Sequence, residues 1–152
     1  MTREKSSLLD HCPPSLPAES YFDENWYSKE LRLIWQKEWV YAGRLNDLPV
    51  AKKRPLTVSD AGIILCRLSE TKIIAYHNTC RHRGSELCRA EQTLGKTIRC
   101  PYHAWSYAAE DGRLLSTAHA SPTEDFKNDE HSLFPVATKV WNGFIFVNIA
   151  EE

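Results

Sequence analysis

Two short segments of this 152-residue chain place a cysteine and a histidine close together. The first is Cys80-Arg81-His82, and the second is Cys100-Pro101-Tyr102-His103. Thiolate sulfur and imidazole nitrogen are ligands that proteins use for zinc and for iron. Two loops that face each other would bring two sulfurs and two nitrogens together. We therefore predict a metal site whose ligands are Cys80, His82, Cys100 and His103.

Two kinds of metal site fit these four ligands. A structural zinc site is tetrahedral and usually takes its ligands in like pairs, as in C-x2–4-C or H-x3–5-H. Here each box mixes one thiol with one imidazole, and residues 83–99 separate the boxes. That is the pattern of a Rieske centre, a [2Fe–2S] cluster in which two histidines replace two cysteines on one iron. We favour the cluster and keep structural zinc as the alternative.

Residues beside the ligands could adjust the properties of such a centre. Arg81 and Arg83 would add positive charge, and backbone N–H groups near Gly84 could donate hydrogen bonds to the sulfides. A solvated loop face is an equally good interpretation of the two arginines. Tyr102 and Trp105 could shield the cluster and donate hydrogen bonds, or they could simply pack.

Composition limits the class of protein. The chain is 42% hydrophobic and 26% charged, which is ordinary for one globular domain. Its net charge of −1 gives no reason to expect nucleic acid or an anionic membrane as a partner. Five cysteines, two of them in the boxes, do not suggest a disulfide framework, so we expect the reducing cytoplasm. We see no signal peptide and no run approaching about 18 apolar residues, and so expect no membrane contact.

The order of the chain predicts a helix in front of a mainly β domain. Residues 1–20 contain three prolines and no periodic pattern, which is typical of an N-terminal arm. Asp23 is a candidate helix cap, and large apolar residues recur at helical spacing within 21–40. We interpret 21–40 as an entry helix whose aromatic face is mostly a packing face.

Short apolar runs separated by glycine and proline predict strands from residue 41 to the end. The clearest runs are 54–58, 62–66, 72–76, 133–140 and 144–149. We expect them to form antiparallel sheets or a barrel over 41–152. The two boxes would project from it as a two-loop cluster-binding subdomain at about residues 78–108.

The two boxes, residues 80–84 and 100–107, resemble the cluster-binding boxes of Rieske non-haem iron oxygenases, the ring-hydroxylating dioxygenase family. Respiratory Rieske proteins carry an additional cysteine in each box, and here Ser85 and Tyr102 stand at those places. Ala104 departs from the oxygenase pattern, because the family commonly has glycine there.

Segments outside the boxes extend the resemblance. Residues 21–40 resemble the entry segment of oxygenase α subunits, which the smaller Rieske ferredoxins lack, and residues 141–148 resemble the closing strands of their Rieske domain. The resemblance implies a Rieske-type fold in the N-terminal part of an α subunit, and it covers the chain from about residue 20 onward.

The resemblance also implies an electron-relay function. A reductase or ferredoxin would reduce the [2Fe–2S] cluster, and His82 or His103 would face the acceptor, a mononuclear Fe(II) in an oxygenase catalytic domain of a neighbouring subunit. Aromatic rings and quaternary amines are both substrates in the family, which contains monooxygenases and dioxygenases. A stand-alone Rieske ferredoxin is the alternative function.

The mononuclear iron of this family is held by two histidines and a carboxylate. The histidines outside the boxes are scattered, and we interpret them as surface or structural residues: His11, His77, His119 and His131. We therefore assign no catalytic residue to this chain and expect the mononuclear iron in an absent C-terminal domain.

Overall fold

The computed structural model describes residues 14–118 and 121–150, which fold mainly as antiparallel β-structure. The strands of these two ranges are β1 (Val40–Arg44), β2 (Lys52–Val58), β3 (Ala61–Arg67), β4 (Ile73–His77), β5 (Gln92–Thr93), β6 (Thr97–Arg99), β7 (Ser106–Ala108), β8 (Leu114–Ser116), β9 (Pro135–Trp141) and β10 (Phe144–Asn148). They form a seven-stranded sheet in the order β1-β10-β9-β4-β3-β2-β5 and a three-stranded sheet in the order β6-β7-β8. The predicted mainly β fold with antiparallel sheets is confirmed.

Strand β3 lies between the two hydrophobic cores of the molecule and contributes side chains to both. Its residues alternate between the two faces of the sheet, and both faces are covered, so its sequence is almost continuously apolar. Ile63 and Leu65 pack into the core of the larger sheet. Ile64 and Cys66 lie in a second core. That second core also contains residues of the two boxes and of the strand that follows them: Cys80, Cys100, Trp105 and Tyr107.

The N-terminal helical segment begins as the sequence predicts. The carboxylate of Asp23 accepts a hydrogen bond from the N–H of Trp26 at 2.8 Å, and helix α1 (Glu24–Glu30) follows. A π-helical turn, Leu31–Trp35, ends the segment before β1. The helix is therefore shorter than the expected span of 21–40.

The aromatic face of this segment differs from our expectation, because no residue of α1 or of the π-helical turn is buried. A hydrogen bond ties the chain to the larger sheet just after this segment, where the Asn148 side chain donates to the carbonyl of Lys37 at 2.9 Å. Apolar side chains of the segment therefore stay in contact with solvent. No helix among the described residues is both long and apolar enough to cross a membrane.

Three-residue strands β7 and β8 depend on a tight turn at Gly112, which has φ +74°. A methyl group there would lie 2.7 Å from the ring of Tyr76 and 3.2 Å from Leu133. We predict that Gly112→Ala lowers the free energy of unfolding by about 2–4 kcal/mol, through backbone strain and overpacking together.

The matched control for this prediction is Gly143→Ala. Gly143 also has a positive φ, +80°, but a methyl group there would meet nothing within 4 Å. Alanine is strained in this conformation, but it also lowers the entropy of the unfolded chain, which offsets part of the strain. The free energy of unfolding should therefore fall by only about 0.5–1 kcal/mol. Thermal unfolding followed by circular dichroism measures both, and equal losses would show that contact with Tyr76 is unimportant.

Candidate metal centre

The two cysteine–histidine boxes form loops with the same backbone geometry. In the first loop, the N–H of Gly84 donates to the carbonyl of Cys80, and the N–H of Cys80 donates to the carbonyl of Ser85, both at 2.9 Å. The second loop repeats both hydrogen bonds at the same offsets from Cys100, at 3.1 and 2.8 Å. Each loop is thus closed at its base, which leaves the N–H groups between its ends free to point inward.

Both loops need a left-handed residue four positions after the cysteine. Gly84 has φ +71°, and Ala104 has φ +58°. Glycine adopts this conformation without steric cost, whereas a residue with a β-carbon is strained by about 1–2 kcal/mol. This strain explains why glycine is the residue expected at position 104.

The two histidine rings approach each other through the same nitrogen atom. The Nδ1 atoms of His82 and His103 lie 3.1 Å apart, and the ring centroids are 4.8 Å apart. Two nitrogens bound to one metal at about 2.1 Å, with a roughly tetrahedral angle, lie about 3.4 Å apart. The observed separation therefore suits a shared metal atom. Burial lowers the pKa of His82, and Arg83 and His103 lower it further, which favours the neutral, metal-binding imidazole.

The Cys80 thiol is buried and surrounded by hydrogen-bond donors. Its sulfur lies 3.1 Å from the hydroxyl of Tyr107 and also accepts from the N–H of His82. The Tyr107 oxygen accepts the N–H of Arg81 at 3.1 Å, so its own proton is available for the sulfur. Burial raises the pKa of Tyr107, and the neighbouring Cys80 thiol raises it further, so the hydroxyl stays protonated and can donate.

The Cys100 sulfur accepts more hydrogen bonds than the Cys80 sulfur does. Burial by itself raises the pKa of Cys100, but hydrogen bonds from the N–H groups of Tyr102 and His103, with further contributions from the side chains of Cys80 and Ser85, leave this pKa below its ordinary value. For Cys80, burial outweighs the donors and the pKa is raised. The hydrogen bonds to Cys100 therefore favour its thiolate form.

The arrangement fits two metal atoms with different ligands. Among the described residues, no three or more His, Cys, Asp or Glu side chains are placed to hold one metal ion together. Instead, two sulfurs lie within hydrogen-bonding reach of each other and two nitrogens form a separate pair. The N–H and O–H groups around the sulfurs are the donors that stabilise thiolates and stabilise negative charge on a cluster. The donor set thus suits a [2Fe–2S] cluster with Cys80 and Cys100 on one iron and His82 and His103 on the other.

One aromatic ring is stacked on each of the two imidazoles. Trp105 is stacked on His82, with centroids 4.7 Å apart and planes inclined by 13°. Tyr102 is stacked on His103 at 3.8 Å. The far side of Trp105 contacts Phe126 and His131 at 5.9 and 5.8 Å. Trp105 therefore packs, as one of our two interpretations proposed, while Tyr102 combines stacking with a backbone hydrogen bond.

The two arginines of the first box have different environments. The guanidinium of Arg81 lies over the ring of Phe134 at 3.9 Å and donates to the carbonyl of Glu130 at 3.2 Å. Its buried Nε has no hydrogen-bond partner among the described residues. Arg83 is exposed, and its charge acts on His82. Arg81 therefore anchors the loop, whereas Arg83 keeps its charge at the surface beside the site.

Two residues that build the first loop, Tyr107 and Asn78, were not predicted from the sequence. Tyr107 was part of the second box but was given no role. Asn78 is buried, and its side chain accepts the N–H groups of Leu87 and Cys88 at 3.1 and 2.9 Å and donates to the carbonyl of Cys88 at 2.7 Å. A polar residue just after strand β4 and two positions before Cys80 was the available signal.

The remaining candidates lie away from the four ligands. His77 has its ring edge-on to Phe134, and His131 packs against Phe126, in agreement with a structural role. Burial raises the pKa of Cys66 to about 12 and also raises that of Cys88, so both are unreactive core thiols. The expectations for His11 and His119 lie outside the described residues.

The left-handed residues generate a matched pair of predictions. Ala104→Gly removes strain and should raise the free energy of unfolding by about 0.5–1 kcal/mol after the entropy of glycine is counted. Gly84→Ala should lower it by a similar amount, because a methyl group there meets nothing within 4 Å and adds only strain. Thermal unfolding measures both, with the visible spectrum as a check on the site. Destabilisation by Ala104→Gly would contradict the strain argument.

Comparison with known proteins agrees with this geometry. The model of the Rieske [2Fe–2S] domain matches residues 38–127. The chain is 43% identical over 142 residues to the glycine betaine monooxygenase oxygenase subunit of Chromohalobacter salexigens, in an alignment that covers 91% of this chain and 31% of the relative. It is 29% identical over 136 residues to the carnitine monooxygenase oxygenase subunit of Escherichia coli, covering 89% and 36%.

A solved structure shows the same fold. The crystal structure of the quaternary ammonium Rieske monooxygenase CntA in complex with an inhibitor superposes with a TM-score of 0.81 at 26% identity, covering 89% of this chain and 38% of that one. The chain thus spans about a third of the length of the relatives that it matches. The resemblance to Rieske oxygenases is confirmed for this part of their subunits.

Both loops, with their paired sulfurs and paired Nδ1 atoms, lie within the residues that the family model matches. The chain belongs to the Rieske [2Fe–2S] domain family, and the cofactor of that family is the Rieske-type [2Fe–2S] cluster.

Proposed function

We propose that this chain relays single electrons through a Rieske cluster held by Cys80, His82, Cys100 and His103. The donor is a reductase or ferredoxin, and the acceptor is the mononuclear iron of an oxygenase. The observation that carries the proposal is the convergence of two Nδ1 atoms, 3.1 Å apart, next to two thiols that accept hydrogen bonds from the protein.

The ligand set decides the electron affinity of the site. When bound, a [2Fe–2S] cluster accepts and gives up one electron at a time. Two neutral imidazoles in place of two thiolates leave less negative charge, so an added electron is more stable and the potential lies at about −150 to +300 mV. The donors to Cys80 and Cys100 act in the same direction, because they stabilise negative charge on sulfur.

The burial of the ligands supports electron transfer to the acceptor through the imidazoles rather than through the thiolates. Cys80 and Cys100 are 2% and 3% exposed, whereas His82 and His103 are only half-buried. Because the Nδ1 atoms of the two rings lie against each other, a metal bound by both would leave Nε2 of each ring free of the metal. The histidine edges are therefore the part of the site that an acceptor in another domain or subunit can approach most closely.

The relatives support a substrate class for the whole oxygenase. Proteins named for glycine betaine and carnitine monooxygenation are similar to this chain over about nine-tenths of its length. We propose that the catalytic part, with its mononuclear iron, acts on a quaternary amine, with an aromatic ring as the alternative substrate. Exposed apolar side chains between residues 21 and 35 support contact with that part.

The domain division and the location belong to the same proposal. We propose 1–20 as the arm, of which 1–13 lie outside the described residues, 21–40 as the entry helix and 41–152 as the Rieske domain, with the cluster-binding part at about 78–108. The thiols Cys66, Cys80, Cys88 and Cys100 are free, which supports a reducing compartment and hence the cytoplasm.

The function is tested on the chain purified without oxygen. We expect iron and acid-labile sulfide at two atoms each per chain, a paramagnetic signal after dithionite, and a one-electron midpoint within the range given above. The reduced chain should be reoxidised by air without converting glycine betaine. Stoichiometric zinc without sulfide would contradict the cluster, and product formation by this chain would contradict a relay role.

Tyr107→Phe tests the hydrogen bond to Cys80. Loss of this donor should lower the midpoint potential by about 40 mV, which corresponds to about 1 kcal/mol for a hydrogen bond and one electron. Tyr76→Phe is the matched control, since the Tyr76 hydroxyl is also buried but donates to the carbonyl of Ala109 at 3.2 Å. Protein-film voltammetry measures both potentials. An unchanged potential in Tyr107→Phe would show that the hydroxyl does not stabilise the reduced site.

A further inference from the structure

A surface cavity of about 450 Å³ lies at the tips of the two loops. Its lining combines two guanidinium groups, a hydroxyl and an aromatic ring, from residues of both boxes and the segment after the first: Arg83, Gly84, Ser85, Arg89, Pro101 and Tyr102. None of the described residues that line it is acidic, so their net charge is positive. The functions assigned above give this cavity no role.

The positive charge of the cavity is poorly compensated within the described residues. Arg83 is exposed and forms no ion pair in that part of the chain. Arg89 pairs with Glu86 at 3.5 Å, and the two side chains are 73% and 62% exposed. An ion pair this open to solvent contributes little and can exchange its partner. Both guanidinium groups are therefore available to an incoming anion.

Two residues that line the cavity, Ser85 and Tyr102, contact ligand residues directly. The Ser85 hydroxyl in its wall interacts with the Cys100 sulfur, and the N–H of Tyr102 donates to the same atom. The ring of Tyr102, which is 63% exposed, is stacked on His103 at 3.8 Å. A protein bound at this cavity would thus lie next to two of the four ligand residues, Cys100 and His103.

We propose that this cavity is the docking site for acidic side chains of the electron-donor protein. The inference rests on the proposed function and adds the chemistry of the donor. Guanidinium groups bind carboxylates through paired, charge-assisted hydrogen bonds. Opposite charge around a redox centre also steers the encounter and raises the association rate.

The character of the cavity favours a transient donor over the catalytic domain. Permanent interfaces are large and apolar, whereas electron-transfer encounters are small and depend on charge. The cavity is small and cationic. The exposed apolar residues between 21 and 35 have the character of a permanent interface, so the two kinds of surface lie on different parts of the chain.

The test uses a reduced plant-type [2Fe–2S] ferredoxin that is acidic at pH 7, whose potential of about −400 mV makes electron transfer to a Rieske centre favourable. Stopped-flow absorbance gives the second-order rate of cluster reduction at low ionic strength. We expect Arg83→Glu and Arg89→Glu each to lower this rate about tenfold. Arg99→Glu is the matched control, because Arg99 is exposed on β6 and does not line the cavity, and its rate should stay within about twofold of the unsubstituted chain.

Two further measurements separate docking from changes at the cluster. Reduction by the uncharged 5-deazariboflavin radical corrects for any change in potential without electrostatic steering of its own, so the ratio of the two rates is compared among variants. Binding of oxidised ferredoxin, measured by calorimetry, should weaken with Arg83→Glu and with ferredoxin whose carboxylates have been converted to amides. This readout does not require electron transfer.

The outcomes distinguish this inference from the proposed function. A chain without a reducible cluster would overturn the relay function, while calorimetry would still report on docking. A chain that is reduced normally, but whose rate ratio and ferredoxin affinity are equal in Arg83→Glu, Arg89→Glu and Arg99→Glu, would overturn the docking site.

Discussion

The paired backbone hydrogen bonds that close the two loops are the constraint on which the site depends. Each loop joins its cysteine to the residues four and five positions later, and this closure turns the intervening N–H groups toward the sulfur. A sulfur held by N–H donors is prepared to carry negative charge without rearrangement. The same closure carries the histidine two or three residues past the cysteine to the outside of the loop. Buried thiols and outward imidazoles thus follow from one backbone geometry.

Strand β3 makes this geometry part of a rigid scaffold. One face of the strand completes the core of the larger sheet, and the other face supports the core that contains both box cysteines. The loops therefore cannot separate without exposing apolar side chains, each of which contributes about 1.5–3 kcal/mol when fully buried. Trp105 and Tyr102 add lateral support, since they stack on the two imidazoles. The ligands are held in place by packing on one side and by hydrogen bonds on the other.

The sequence predicts the parts of this structure that depend on residue type and short spacing. The two boxes stand out because mixed thiol and imidazole ligands are rare, and β2, β3 and β4 stand out because their apolar runs are separated by turn residues. The role of Tyr107 depends on which way a strand residue faces after the chain has folded, and no local pattern shows that. The exposure of the apolar face between 21 and 35 depends on how the segment lies against the sheets, which helical periodicity does not report. Residue type alone does not predict the backbone conformation of Ala104. The closure of the loop imposes a left-handed backbone there, although alanine disfavours it.

The central claim is that His82 and His103 bind the same iron through Nδ1 while Cys80 and Cys100 bind the other. Electron–nuclear double resonance of the dithionite-reduced chain, prepared with histidine labelled with ¹⁵N at Nδ1 alone, tests this claim most directly. We predict two strongly coupled ¹⁵N nuclei, and one after either histidine is replaced by cysteine. The absence of ¹⁵N coupling, or coupling only to the unlabelled ring nitrogen, would contradict it.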